Sequence, residues 1–305
     1  MLFAMILFPS LSYGGGPFTF SDDPRLIYTF KPNTQGTNSQ GYFDNEHSHE
    51  KENGVYRITV IGDSIAQGQG VLIEESFPRI LEEKLNQNPG NKKYEIIVLA
   101  RTGYSTSQEM VLFKEEAFLY DPDLIIWSYV LNDPAHPVFH DANGELGRHY
   151  YKPKNATKHY IEKKQFILKE KLKGRECPKE FHAFLQCAYW DNIVKDVKEI
   201  GAVIHRKKIP LIFVIHPVFE KDKNFHQYSL IEEHHKLAEL ALQEGLVPLD
   251  LLDVFKPHNP LELKQTGPNP GVFDPWHPNA RGHYVIAEAL IKAVKEITGK
   301  RDRSR

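Results

Sequence analysis

Apolar and polar positions repeat along this chain with two different periods, and each change of period marks an element. Residues 57–62 (RITVIG) form a short β-branched run closing on glycine, the pattern of a buried strand. Residues 77–85 place Phe77, Ile80, Leu81 and Leu85 on one helical face, and Pro89-Gly90 ends that helix. A second strand is predicted over 94–99, and a helix over 106–120 with Met110, Phe113 and Ala117 as its apolar side. The turn Asp121-Pro122-Asp123 leads into the third and most apolar strand, 124–130. The periodicity then lapses over 134–179, a long insertion rich in Lys, His and Tyr. It returns as a helix over 189–205, a fourth strand over 210–215 and a helix over 229–244 stopped by Gly245. A short fifth strand, 246–250, carries Pro248, which favours a sheet edge, and a closing helix spans 279–297. Residues 17–55 read as a loop-rich arm with one hairpin, and 299–305 as a frayed tail.

Strands alternating with helices predict a parallel sheet of about five strands covered by helices on both faces. Ligands of such sheets sit beyond the carboxyl ends of the strands. Four polar groups fall there: Gly62-Asp63-Ser64, Thr102-Gly103-Tyr104-Ser105, Asn132-Asp133, and Asp274-Pro275-Trp276-His277 just before the last helix. A serine hydroxyl becomes a useful nucleophile when a base takes its proton, and a histidine titrates in the right range to do so. A carboxylate three residues before His277 can hold the imidazole in the required tautomer. The backbone N–H groups of Ser64 and Gly103 and the amide of Asn132 are candidate donors to an oxyanion.

Gly62-Asp63-Ser64-Ile65, Gly103, Asn132-Asp133 and Asp274-x-x-His277 together resemble, in order and spacing, the blocks of the SGNH (GDSL-like) hydrolases, over about residues 56–298. The resemblance implies a three-layer α/β/α, flavodoxin-like fold and ester or thioester hydrolysis. It implies Ser64 as nucleophile, His277 and Asp274 as its triad partners, and Ser64, Gly103 and Asn132 as oxyanion donors. Asp63 and Asp133 are expected to support them. Two positions depart from the family pattern: Val130 stands where the third block opens with Gly, and Val98 where the second often has Asn. Neither supplies a catalytic atom, so altered packing or pocket shape is expected rather than lost activity. The arm and the insertion lie outside the resemblance.

Singly, each block has a plain structural reading: Ser64 as an N-cap, Asn132-Asp133-Pro134 as a strand-ending turn, His277 as a surface residue. The catalytic reading rests on the four occurring in order. The leading expectation is a serine esterase acting through an acyl-enzyme on a small-molecule or glycan ester, a carbohydrate O-acetyl or other short acyl group. An O-acyltransferase using the same triad, a lysophospholipase or thioesterase, and a non-catalytic binding module are the alternatives. Tyr104, Trp276 and His216 are candidate pocket residues, with packing the competing role for each. His234 and His235 read as solvated neighbours on a helix that cannot chelate one metal by helical spacing. Asn155-Ala156-Thr157 matches a glycosylation acceptor.

The 305 residues suffice for one large α/β domain, and charged residues at 26% with a formal net charge of -2 give no basic excess for nucleic acid. The expected mechanism needs no metal or organic cofactor. Residues 2–8 are apolar and 9–16 turn-rich, as at the end of an export signal, but no Lys or Arg precedes them. A disordered or core-docking start competes with that reading. Residues 1–16 are therefore expected either as a signal remnant or as part of the domain, with a periplasmic or secreted location favoured. No segment has the length to span a bilayer. Cys177 and Cys187 are the two cysteines. A single helix through both would hold them roughly 15 Å apart, whereas a bridge needs Cα atoms about 5.5 Å apart. The helical pattern after Pro178 thus leans against a bridge, unless that helix breaks or starts later, for instance at Asp191.

Overall fold

A computed structural model of the chain describes residues 17–87, 92–138, 145–150, 176–266 and 272–303, with single positions between 152 and 165. In chain order it contains β1 (Phe18–Phe20), β2 (Tyr28–Phe30), β3 (Val55–Gly62), α1 (Ser64–Gln67), α2 (Phe77–Gln87), β4 (Lys93–Ala100), α3 (Thr106–Glu115) and β5 (Leu124–Val130). There follow α4 (Glu145–Tyr150), α5 (Phe181–Ala188), α6 (Trp190–Lys207), β6 (Leu211–His216), α7 (Ile231–Gln243), β7 (Val247–Asp250), α8 (Leu251–Phe255), α9 (Pro260–Leu263) and α10 (Ala280–Arg303).

The main sheet has the order β4-β3-β5-β6-β7 and every pairing is parallel. Counted within the sheet this is 2-1-3-4-5, the flavodoxin-like order. The apolar runs explain the positions: every residue of β5 and β6 is buried, as central strands covered on both faces must be. Pro248 sits in the edge strand β7, where its missing N–H costs no ladder bond. Helices α2, α8 and α10 pack together on one face, and α3, α6 and α7 on the other. Gly62 ends β3 where a Cβ would lie 2.9 Å from both the Ser128 carbonyl oxygen and the Ala66 side chain, so only glycine lets β5 and α1 approach β3 this closely.

The opposite edge, β4, is covered by the arm. Asp44 accepts a hydrogen bond from Val98 N (2.8 Å) and lies 3.3 Å from the Arg79 guanidinium, capping an edge that would otherwise present open donors. β1 and β2 form the arm's antiparallel hairpin, with Phe18 opposite Phe30. Of the insertion, α4 packs beside this hairpin, the Tyr150 ring 6.2 Å from that of Phe20.

The predicted elements all occur, with shifted ends. The helix expected to reach residue 120 stops at Glu115, and a 3-10 turn over Ala117–Tyr120 completes the path before Asp121 takes a left-handed conformation. The closing helix runs on to Arg303, through most of the segment expected to fray. The reading that leaned against a bridge is corrected: Cys177 and Cys187 form a disulfide with Cα atoms 5.6 Å apart. The helix does not contain both, because α5 begins only at Phe181, with the Glu180 carboxylate capping it through Ala183 N (2.7 Å). The chain before the cap therefore folds back along the helix to meet its last turn. Residues 1–16 and Asn155 lie outside the described residues. Among the described residues no helix is long and apolar enough to cross a membrane, and no cluster of metal-ligating side chains occurs.

Candidate active site

Ser64 opens α1 directly beyond β3, and Asp63 is that helix's N-cap, accepting from Ile65 N at 3.0 Å. The cap fixes the turn that turns Ser64 toward the carboxyl edge of the sheet. His277 Nε2 lies 2.9 Å from Ser64 Oγ, and His277 Nδ1 lies 2.8 Å from Asp274 Oδ2. The other Asp274 oxygen accepts from the backbone N–H of Trp276 (2.9 Å) and of His277 (3.1 Å), so one carboxylate both folds the loop and orients the ring. Burial works against the charged form of Asp274. The hydrogen bonds from the His277 ring and from the two backbone N–H groups outweigh it and hold this carboxyl below its ordinary range. All three side chains are largely buried, with Ser64 6% exposed.

Ser64 Oγ has a second neighbour, Asp63 Oδ2 at 3.1 Å. A single hydroxyl proton serves one acceptor at a time. Burial raises the Asp63 carboxyl above its ordinary range, against the Ile65 N–H and the nearby His277.

Gly103, half-buried with φ +76, lies in the turn after β4. Among the described residues its N–H has no acceptor, and the Asn132 side chain has no partner either, its Oδ1 being buried. Asp133 holds the turn behind Asn132: its Oδ2 accepts from Val130 N (2.6 Å) and its carbonyl from Thr106 N (2.8 Å).

Residues 60–285 match the model of the GDSL-like lipase/acylhydrolase family. The chain belongs to this family. As a member it is a carboxylic ester hydrolase. No curated protein matches the chain. Among solved structures it is similar to an α/β hydrolase from the metagenome of Lake Arreo, Spain (18% identity, 78% of this chain and 94% of that one, TM-score 0.48). It is also similar to a lipase/acylhydrolase from Enterococcus faecalis (15% identity, 79% and 96%, TM-score 0.48). A third is a catalytic mutant of an acetylxylan esterase from Geobacillus stearothermophilus (12% identity, 78% and 93%, TM-score 0.49).

Not every residue singled out from the sequence of this family member joins the site. Tyr104 is core rather than pocket: it is 2% exposed, and its hydroxyl donates to the Tyr28 carbonyl at 2.7 Å. His216 is fully enclosed 2.8 Å from Ser128 Oγ, and burial lowers its pKa to about 3. It packs within the core as a neutral ring. His234, expected in solvent, is buried between Tyr228 Oη (3.1 Å) and Asp250 (2.8 Å), because α7 lays that turn against β7. Trp276 lies beside the site, its indole N–H donating to His182 Nε2 at 3.0 Å. A cavity of about 1060 Å³ lies elsewhere, beside β7 and between α6 and α10, lined by Ile204, Val254 and Ala289. It holds none of the polar groups of the site.

Sequence reasoning missed Gln67, whose Oε1 accepts from Thr102 N at 2.6 Å, and Gln69, hydrogen-bonded to the Thr102 hydroxyl. It also missed Tyr28, Glu109 and Gln186. These residues are held by contacts between elements distant along the chain, from 18 positions for Glu109 to 74 for Tyr28, which no local period reports. The one available signal was the pair of glutamines just after Ser64, one ending the short helix α1 and the other just past its Gly68 cap.

Proposed function

We propose that the chain hydrolyses a short acyl ester through an acyl-enzyme on Ser64. The observation carrying this reading is the continuous line Ser64 Oγ, His277, Asp274, with contacts of 2.9 and 2.8 Å. His277 Nε2 takes the hydroxyl proton as Oγ bonds to the ester carbonyl carbon. The carbonyl oxygen becomes an oxyanion, received by the N–H groups of Ser64 and Gly103 and the amide of Asn132. Collapse breaks the bond to the alcohol oxygen, which takes the proton from His277. Water then repeats the sequence on the acyl-serine, releasing the acid and restoring Ser64. Asp274 holds the ring and balances its charge throughout.

The disulfide supports a periplasmic or secreted location, since such bridges persist in oxidising compartments. Esters reachable there include O-acetyl groups on polysaccharides, and these are the proposed substrate class.

Purified protein is expected to cleave p-nitrophenyl acetate, and a series of acyl chain lengths reads out the preference. Ser64→Ala is expected to lower kcat by at least ~10³-fold while the circular dichroism spectrum is unchanged. A fluorophosphonate is expected to label Ser64. Full activity in Ser64→Ala would remove the mechanism. Acyl transfer to an added glycan in preference to water would make the protein a transferase on the same site.

A further inference from the structure

The arm reaches the site at a single peptide. Tyr28, on β2 and fully buried, donates its hydroxyl to the Thr102 carbonyl oxygen at 2.5 Å. On the other side of the same residue, Thr102 N donates to Gln67 Oε1 at 2.6 Å. Thr102 is thus held at both its donor and its acceptor. A trans peptide unit is planar, and its C=O and N–H point in opposite directions. Fixing the Thr102 carbonyl therefore fixes the direction of the N–H that follows it, which belongs to Gly103. Tyr104 N donates to the Arg101 carbonyl at 3.1 Å and closes the turn around this peptide. A peptide inside such a turn can still flip when glycine, with no Cβ to restrict φ, follows it, and Gly103 sits at φ +76.

The arm is itself well anchored where it does this. Gln108 Nε2 donates to the Leu26 carbonyl at 2.6 Å, and Tyr104 Oη to the Tyr28 carbonyl at 2.7 Å. The Tyr28 and Tyr104 rings meet edge to face with centroids 5.2 Å apart.

We propose that Tyr28 is a positioning residue for the oxyanion hole: the arm, outside the 60–285 family match, aims the Gly103 N–H through the Thr102 carbonyl. The proposal rests on the reading of Gly103 as an oxyanion donor. Preorganisation is what makes such a donor effective, since a peptide that must first rotate spends part of its stabilising energy on being ordered.

The test is Tyr28→Phe, which keeps the ring and removes the hydroxyl alone. Losing an oxyanion donor outright costs about 10²–10³-fold in kcat, so a donor left in place but loosely aimed is expected to cost about 10- to 100-fold. KM is expected to stay within about twofold, because ground-state binding does not use this contact. Affinity for a boronic acid, which forms a tetrahedral adduct on Ser64, is expected to fall in parallel with kcat. The control is Tyr42→Phe, which removes another buried arm hydroxyl, the donor to Glu116 Oε2 at 2.6 Å. It is expected to lower thermal stability with kcat unchanged. Each constant is taken per folded molecule, measured by near-ultraviolet circular dichroism. Wild-type kcat in Tyr28→Phe, or an equal fall in Tyr42→Phe, would overturn the proposal. An active Ser64→Ala would instead remove the reading beneath it, so the two failures are separable.

Discussion

Trp276 donates its indole N–H to Nε2 of His182, 3.0 Å away, and so ties the residue beside His277 to α5, the helix that follows the insertion. With Nε2 accepting, the His182 proton sits on Nδ1, 3.0 Å from Glu180 Oε1. One turn further along α5, Gln186 donates to the Leu131 carbonyl at 2.8 Å and accepts from Tyr129 Oη at 3.0 Å. A single face of one short helix thus braces both the His277 loop and the peptide leading into Asn132. An isolated helix of this length is not stable in water, and the Cys177–Cys187 bridge closes the chain around it. The Cys177→Ala/Cys187→Ala pair is expected to lose about 3 kcal/mol of stability from the chain entropy of a loop this size. It is also expected to lower kcat through the loosened braces. Thermal unfolding and kcat, each with and without reductant, check this; a variant unchanged in both would show that α5 holds its place without the bridge.

The Asp274 carboxylate has no spare oxygen. Oδ1 is occupied by two backbone N–H groups and Oδ2 by His277 Nδ1. In Asp274→Asn the amide oxygen keeps the backbone bonds, and the amide nitrogen then faces Nδ1 as a donor. The ring must accept there, which moves its proton to Nε2, where it points at Ser64 and can no longer take the hydroxyl proton. The expected result is a fall of about 10⁴-fold in kcat with little change in KM or melting temperature. A loss confined to KM would show that Asp274 shapes the pocket and leaves the tautomer alone.

Much of this was legible in the chain. The buried strands announced themselves because a central parallel strand must be apolar on both faces, as β5 and β6 are. Pro248 marked its own edge strand. The meeting of Ser64, His277 and Asp274 was legible because Asp274 and His277 lie three residues apart and Ser64 comes just after a strand-ending glycine. The disulfide was not, since the helical pattern around Phe181, Phe184 and Leu185 does not say where the helix begins, and the Glu180 cap decides that by three residues. Nor was His234, whose burial depends on how α7 lies against β7. The role of Tyr28 depends on a hydrogen bond across 74 positions, where a tyrosine in a polar arm looks like any other.

Glu109, on α3, is buried behind the site with Oε2 accepting from Trp127 Nε1 at 2.9 Å and Oε1 without a partner among the described residues. Burial pushes its carboxyl well above the usual range, and the nearby Asp63 adds to this. Asp133 is raised by burial and by Glu109 and Asp63, and its Oδ1 also lacks a partner among the described residues. Such a carboxyl binds its proton more tightly folded than unfolded. Its contribution is fully favourable below the unfolded value, near 4.5, and is lost as pH rises toward the folded value. Glu109→Gln keeps an acceptor for Trp127 and carries no charge at any pH. It is expected to match the wild type near pH 4 and to exceed it in stability at about pH 8. The gap should widen between them by at most about 1.4 kcal/mol per pH unit. Urea unfolding of both proteins at several pH values reads this directly. Parallel curves would mean that Glu109 ionises as readily in the fold as outside it, and that the charge behind Ser64 is larger than the buried carboxyls imply.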